Sequence, residues 1–239
     1  GQSIMAVIYL RRTVLYIRFH FSITMLQDAL KLALPLMPHQ MALRIVAVAA
    51  PLVLERFVQL SAVGLYAFGS RMATTVSAFA DAFQQGLAPF IYQNGRELSF
   101  RPKISRLGTY YLMGVFSMAV ALIVLVPDLL EVVGLQKYLE SIRVVQFAAL
   151  GMFFHAVYLV PNTYMFLNRK SHWIPVISGV GALAAVLGNI ALVPYYGIEG
   201  SAIAAIITYA IMAIVAYALM YSRVQIPFRC EPRIWWGIP

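Results

Sequence analysis

Charge is what this sequence has least of. Only 11% of its 239 residues are Asp, Glu, Lys or Arg, against about 25% in an ordinary soluble domain. Acidic residues number nine, and cysteine occurs once, at Cys230. A lone cysteine excludes an internal disulfide framework and, with no partner, gives no sign of a metal site. The motifs HExxH, GxSxG and GxxxxGK[ST] are missing, and no acidic pair is placed to suggest metal or glycosidic chemistry, so no enzyme constellation stands out. No signal-peptide pattern opens the chain, because its first short apolar run meets Arg11 and Arg12 directly. The first residue is Gly1, and the chain reads as a piece whose beginning lies elsewhere.

What is present in excess is apolar residue: 62% of the chain, with a mean hydropathy of +0.79. That excludes a water-soluble enzyme, a secreted domain and a disordered chain. It leaves an all-α polytopic membrane protein. A spanning helix needs about 20 apolar residues, so this length holds roughly six or seven. Apolar runs bounded by charges, Pro or Gly place six complete spans near 29–54, 62–90, 107–126, 142–167, 172–193 and 198–221. The expected organisation is the end of a preceding helix plus a cytoplasmic linker over 1–28, a six-helix bundle over 29–221 and a cytoplasmic tail over 222–239.

The net charge of +9 reads as topology rather than nucleic-acid binding. Twelve of the 18 basic residues fall on one side of this layout: Arg11, Arg12, Arg18, Arg96, Arg101, Lys103, Arg106, Arg169, Lys170, Arg223, Arg229 and Arg233. The opposite connections hold Arg56, Lys137 and Arg143. The rule that cytoplasmic loops collect Lys and Arg puts the segment before residue 29 and the C-terminus in the cytoplasm. Lys31 snorkels from the end of its span. Arg44 and Arg71 remain, both inside apolar segments.

An intramembrane charge costs at least about 2.5–3.5 kcal/mol and normally faces a cavity or a partner. In the second span, Ser70, Thr74, Ser77, Asp81 and Gln84 recur at helical spacing on one face, flanked by Arg71 and widened by Gln85. A cavity wall is favoured over plain interhelical hydrogen bonding. In the first span, Gln40, Arg44 and Glu55 share a thinner polar face, and Pro35, Pro38 and Pro51 interrupt the helix. In the fourth, Gly151, His155, Tyr158 and Asn162 form an uncharged stripe; His155 is suited to relaying protons, and packing is at least an equal reading. The Gly- and Ala-rich fifth span reads as close helix packing, with Asn189 as a cap or a cross-helix bond. Trp235 and Trp236 suit a membrane-interface anchor.

The order of these features resembles a known family. LKLALPLMPHQM (30–41) is similar to the "glPliph" opening of a helix in bacterial polysaccharide flippases. Glu55-Arg56 stands where that family shows Asp-Arg, and VGLYAFGSRMA (63–73) resembles its "GlYsva" segment. GLAPFIY (86–92) resembles "lxPxxy", and GNIALVPYYGIEGSAIAAIITYA (188–210) resembles its late "NlilIPkyGilGAAiAT" phrase, with Ala205 where Thr is common. The resemblance covers about 29–223 and points to the second half of the oligosaccharide flippases, relatives of the MATE multidrug exporters and lipid II flippases.

The resemblance implies two six-helix bundles around a central cavity, this chain supplying the second. It implies a non-enzymatic transporter in the bacterial inner membrane that moves a polyprenyl-pyrophosphate-linked oligosaccharide outward by alternating access. Arg44 and Arg71 would hold the pyrophosphate, since Arg is suited to phosphate forks. Gln40, Ser70, Thr74, Ser77 and Gln84 would line the cavity and meet sugar hydroxyls. Asp81 would pair with an Arg or carry a coupling proton. Glu55 and Arg56, at the outer end of the first span, read as ion coupling or charge pairing: a structural ion pair with a neighbouring helix is favoured over contact of Arg56 with substrate. No cofactor is implied beyond coupling H+ or Na+. Expected partners are membrane lipid, the lipid-linked glycan and other polysaccharide-assembly proteins. Two other readings are a MATE-like small-molecule exporter, against which the basic balance speaks, and a membrane-embedded glycan polymerase or acyltransferase, against which the short outer loops speak.

Overall fold

A computed structural model describes residues 22–34, 37–94, 101–168 and 170–224. Regular structure among them is entirely helical. The chain divides into two units between Leu34 and Pro35. The first contains one described helix, α1 (Ile23–Ala33), which Ser22 caps by accepting from the Met25 N–H. The second contains α2 (Met37–Phe57), α3 (Leu60–Asn94), α4 (Arg101–Val132), α5 (Ile142–Leu167) and α6 (Ile174–Leu219), with short 3-10 helices at Gln136–Ser141 and Ser171–Trp173.

Among the described residues, four stretches are long and apolar enough to cross a membrane: Met37–Phe57, Arg106–Val132, Gln136–Phe166 and Ser171–Ser222. Helix α3 is long but is not among them, since its Ser, Thr, Gln and charged residues dilute its apolar content. The fourth stretch is not straight. Its helix of 46 residues breaks at Gly197 (φ 54°, ψ −131°), a backbone region open to glycine. The two arms then run antiparallel, as their contacts show. A Cβ on Gly181 would strike the Met212 sulfur, one on Gly188 would lie 3.2 Å from Ala204 Cβ, and one on Gly200 would lie 2.5 Å from the Leu192 carbonyl oxygen. Between them the Ser201 hydroxyl donates to Asn189 Oδ1 at 2.6 Å. The expected division at 193/198 is therefore present, as a tight helical hairpin whose small residues let the arms close.

The expected 142–167 span coincides with α5. The expected 29–54 span falls across two described helices, with residues 35 and 36 between them outside the described residues. Helix α1 ends at Ala33 and α2 starts at Met37. Pro38, four residues after Leu34, has no N–H to give that carbonyl and its ring would clash with it. In the first turn of a new helix the same proline is tolerated. Pro38 thus begins α2 rather than interrupting it, while Pro51 lies inside; Pro35 falls outside the described residues. Each of the five long helices carries an internal proline, at 51, 89, 127, 161 and 194, a usage that suits helices whose neighbours resatisfy the freed carbonyl.

Helix α6 packs mainly on α5 and α2, and α5 also packs on α3 and α4. Helices α2 and α3 are joined by two residues, with the Gln59 carbonyl accepting from Ala62 and Val63, but otherwise touch little. One end of the bundle collects three connections. A Cβ at Gly197 would lie 3.8 Å from Val58, Phe68 stacks on Tyr138 at 4.0 Å, and Arg143 reaches Glu199 at 3.5 Å. Helix α4 stops there through Gly134 (φ 73°), with Leu135 N–H donating to Leu130 and Gly134 N–H to Glu131, a Schellman ending. The core is built on Ala73, Val76, Val115, Ala149, Ile177 and Met212, among others.

These contacts rank the glycines. Gly200→Ala is expected to cost about 1–3 kcal/mol, because the obstruction is backbone. Gly64→Ala is expected to gain about 0.5–1 kcal/mol, because nothing lies within 4 Å of the added carbon. Thermal unfolding of the purified protein in detergent checks both; equal midpoints would contradict the hairpin geometry.

Candidate functional site

The residues singled out from sequence occupy an outer surface and its border with the interior. On α2 the buried side is His39, Ala42, Ala49, Ala50 and Leu54. Gln40, Arg44 and Glu55 lie on the opposite side and are exposed, as is Arg56. On α3 the buried line is Gly69, Ala73, Val76 and Ala80. The stripe of Ser70, Thr74, Ser77, Asp81 and Gln84 sits about a quarter turn away. Arg71, Thr74 and Asp81 are exposed, while Ser70, Ser77 and Gln84 are partly buried.

The stripe's small hydroxyls bond locally. Ser70 donates to the Ala67 carbonyl at 3.1 Å, Thr74 to Arg71 and Ser77 to Thr74 at 2.9 Å. Their donors are used within α3, and their acceptor lone pairs remain. Gln84 instead turns to α5, where its Nε2 donates to the Thr163 hydroxyl and to the Leu159 carbonyl at 3.4 Å. It lines a cavity of about 40 Å³ with Leu107, Tyr111, Thr163 and Tyr164, space enough for water.

The expected ion pairing of Glu55 and Arg56 with a neighbouring helix is not found. Both are exposed, and neither forms an ion pair among the described residues. The reason is their position: they occupy the last turn of α2 on sides away from Leu54, which is fully buried. The side chains of Arg44 and Arg71 likewise have no hydrogen bond or ion pair among the described residues. Counted at about 1.5 Å per residue from the α2–α3 turn, they lie roughly 20 and 17 Å along their helices, at similar depth.

A second polar group lies inside. The His155 ring meets Tyr209 of α6 edge-on at 5.0 Å and stands 6.0 Å from Tyr158. Asp81 acts electrostatically on both His155 and Tyr111, so it belongs to the stripe and to this cluster. Tyr111 donates to the Ala156 carbonyl at 3.5 Å. Towards the hairpin turn, Tyr66 meets Ser201, which is bonded to Asn189; Asn189 also donates to the Ala185 carbonyl at 2.8 Å. Three atoms on one face of α5 are buried without a partner: His155 Nδ1, the Tyr158 hydroxyl and Asn162 Oδ1. His39 Nδ1 on α2 is a fourth.

Sequence spacing marks His155, Tyr158 and Asn162. Tyr66, Tyr111, Tyr209, Thr163 and Ser201 carry no such mark, since an aromatic or hydroxyl residue in an apolar helix reads as packing. No group of three or more His, Cys, Asp or Glu able to hold a metal occurs among the described residues. Arg11, Arg12, Arg18, Arg96, Arg169, Arg229, Arg233, Trp235 and Trp236 lie outside the described residues. No family model matches the chain, and neither a curated protein nor a solved structure matches it.

The arrangement offers two chemistries: an exposed cationic and hydroxyl-bearing surface, and an interior able to exchange hydrogen bonds. Their structural cost is testable at Ser201. Ser201→Ala leaves the buried Asn189 oxygen without its donor and is expected to destabilise the protein by about 1–2 kcal/mol. In the Asn189→Ala background the same change should cost much less. A double-mutant cycle on thermal unfolding checks this, and additive costs would rule the bond out as a contributor.

Proposed function

We propose that the chain is one helical bundle of a flippase that moves a polyprenyl-pyrophosphate-linked oligosaccharide across the bacterial inner membrane. The observation that carries this reading is the position of Arg44 and Arg71. Both are exposed midway along their helices, on faces turned from the bundle's own core, and both lack a protein counter-charge among the described residues. Such a charge is not stable against lipid. It calls for a water-filled cavity, and in it an anion.

A pyrophosphate fits that demand, because two guanidinium forks at similar depth can share its charge. The hydroxyls of Ser70, Thr74 and Ser77, their donors spent on α3, still offer acceptors to sugar hydroxyls. The cavity would close against a second bundle of six helices, with the two arms of α6 and helix α3 completing six spans here. The family resemblance supports this division, and exposed polar faces on α2 and α3 agree with it.

Charge also supports an orientation. The end that collects the α2–α3 turn and Gly197 holds Glu55, Asp128, Glu131, Glu140 and Glu199 against Arg56, Lys137 and Arg143. The other end carries Lys103, Arg106 and Lys170 on its described residues. Placing the basic end and the C-terminus in the cytoplasm follows. The bundle contributes no bond-breaking step. It binds, screens and releases.

Replacing both Arg44 and Arg71 with Ala is expected to lower surface polysaccharide at least tenfold while leaving membrane insertion intact. Each lost charge-assisted contact accounts for about 1.5–3 kcal/mol. Arg143→Ala, at the exposed far end, should have no effect. Measurement of surface glycan beside membrane protein level checks this, and normal assembly in the double variant would overturn the assigned roles.

A further inference from the structure

We propose that the interior of the bundle holds a protonation site, the His155 imidazole of α5 opposed by the Asp81 carboxylate of α3, and that the proton taken up there is the ion coupled to substrate movement. The coupling half of this rests on the transport reading above; the site itself does not.

Three orphaned atoms mark the place. His155 Nδ1, the Tyr158 hydroxyl and Asn162 Oδ1 stand at i, i+3 and i+7, on one face of α5, each buried and each without a hydrogen bond. Buried polar groups kept only for packing are normally satisfied. The same bundle shows what satisfied groups look like: Asn189 with Ser201, and Gln84 with Thr163. The α5 face departs from that pattern at three successive positions.

The side chains present favour a proton over a metal ion. A hard cation such as Na+ asks for oxygen ligands, and the first of the three atoms is an imidazole nitrogen. Imidazole is the side chain whose charge changes near neutral pH. Once protonated it donates from both nitrogens, which gives Nδ1 a hydrogen to offer towards acceptors on its own helix face, directly or through water. The new positive charge needs a counter-charge. From α3 the titratable groups nearest are Asp81 and Tyr66, from α4 Tyr111, from α5 itself Tyr158, and from α6 Tyr209. Only Asp81 among them carries a carboxylate. Asp81 is exposed on the outer stripe, so it also opens the site to water. The cavity of about 40 Å³ shares Tyr111 with this group, and it has room for bridging water. The event balances simply: a proton leaves water for the imidazole, no covalent bond of the chain breaks, and the proton later returns to water.

The chain has four histidines, few enough to follow individually. The test is nitrogen-15 NMR of histidine-labelled protein in lipid nanodiscs from pH 5 to 8.5. His155 is assigned by His155→Gln, or by removing His20, His39 and His172 if that variant fails to fold. The expected result is conversion of the His155 ring from neutral to imidazolium within this range. Asp81→Asn should make half-protonation require at least a threefold higher proton concentration, and Asp128→Asn should change nothing. A ring that stays neutral throughout, or one indifferent to Asp81→Asn, would overturn the site. A second arm measures transport with the proton gradient collapsed and the Na+ gradient intact. Undiminished or Na+-dependent transport would overturn the coupling. A ring that titrates in a protein that moves no lipid-linked glycan would leave the site standing and overturn the transport reading instead.

Discussion

A polar atom placed in hydrocarbon must be met by another polar atom or by water, and this requirement orders the whole bundle. The chain has so few charges that each one inside an apolar segment demands an explanation. Most of its polar side chains meet the requirement locally: Ser70, Thr74, Ser77, Ser178 and Thr208 all return a hydrogen bond to a carbonyl three or four residues back. A few meet it across helices, as Gln84 does with Thr163. What is left over among the described residues includes two arginines on the outside, His39 Nδ1 on α2 and a line of unsatisfied atoms on α5.

Those leftovers depend on a scaffold that leaves α2 and α3 apart. Helix α6 can serve as the centre because its arms approach so closely that Gly200 sits against the Leu192 backbone. That compactness lets α6 pack on both α2 and α5. Helices α2 and α3, tied at one end by two residues, then pack mainly on different partners. Each keeps exposed polar residues, Gln40 and Arg44 on α2 and Arg71, Thr74 and Asp81 on α3. Large apolar side chains such as Leu52, Val124, Leu125, Leu183 and Leu187 are exposed elsewhere, a surface suited to lipid, so the polar faces stand out against it.

Much of this is legible in the amino-acid sequence. Helix α5 has the bounds its sequence predicts because Glu140-Ser141 and Asn168 flank a mostly apolar run. The break in α6 is legible because PYYG combines a proline with a glycine, and only the latter takes the positive φ found there. The start of α2 is not, because a 20-residue apolar window ignores what Pro38 does to backbone bonding. The stripe on α3 is one face, as its spacing predicts, but periodicity does not reveal the neighbour on that side, so Gln84 looks the same as Thr74. Tyr66, Tyr111 and Tyr209 in the group around His155 are invisible for a related reason. Their significance comes from α3, α4, α5 and α6 meeting at one place, and no single helix contains it.

Asp81 joins the outer surface to the interior. A stripe facing squarely outward would touch only the cavity, and one facing inward would touch only the core. Because it lies about a quarter turn from the buried line of α3, its carboxylate is exposed and still acts on His155 and Tyr111. A charge change inside the bundle is therefore felt first at a residue that shares a surface with Arg71, and a bound anion on that surface is felt in turn by the imidazole. Reciprocal linkage of this kind needs no moving part between the two sites. It requires a single acidic side chain held at the boundary, and α3 holds one.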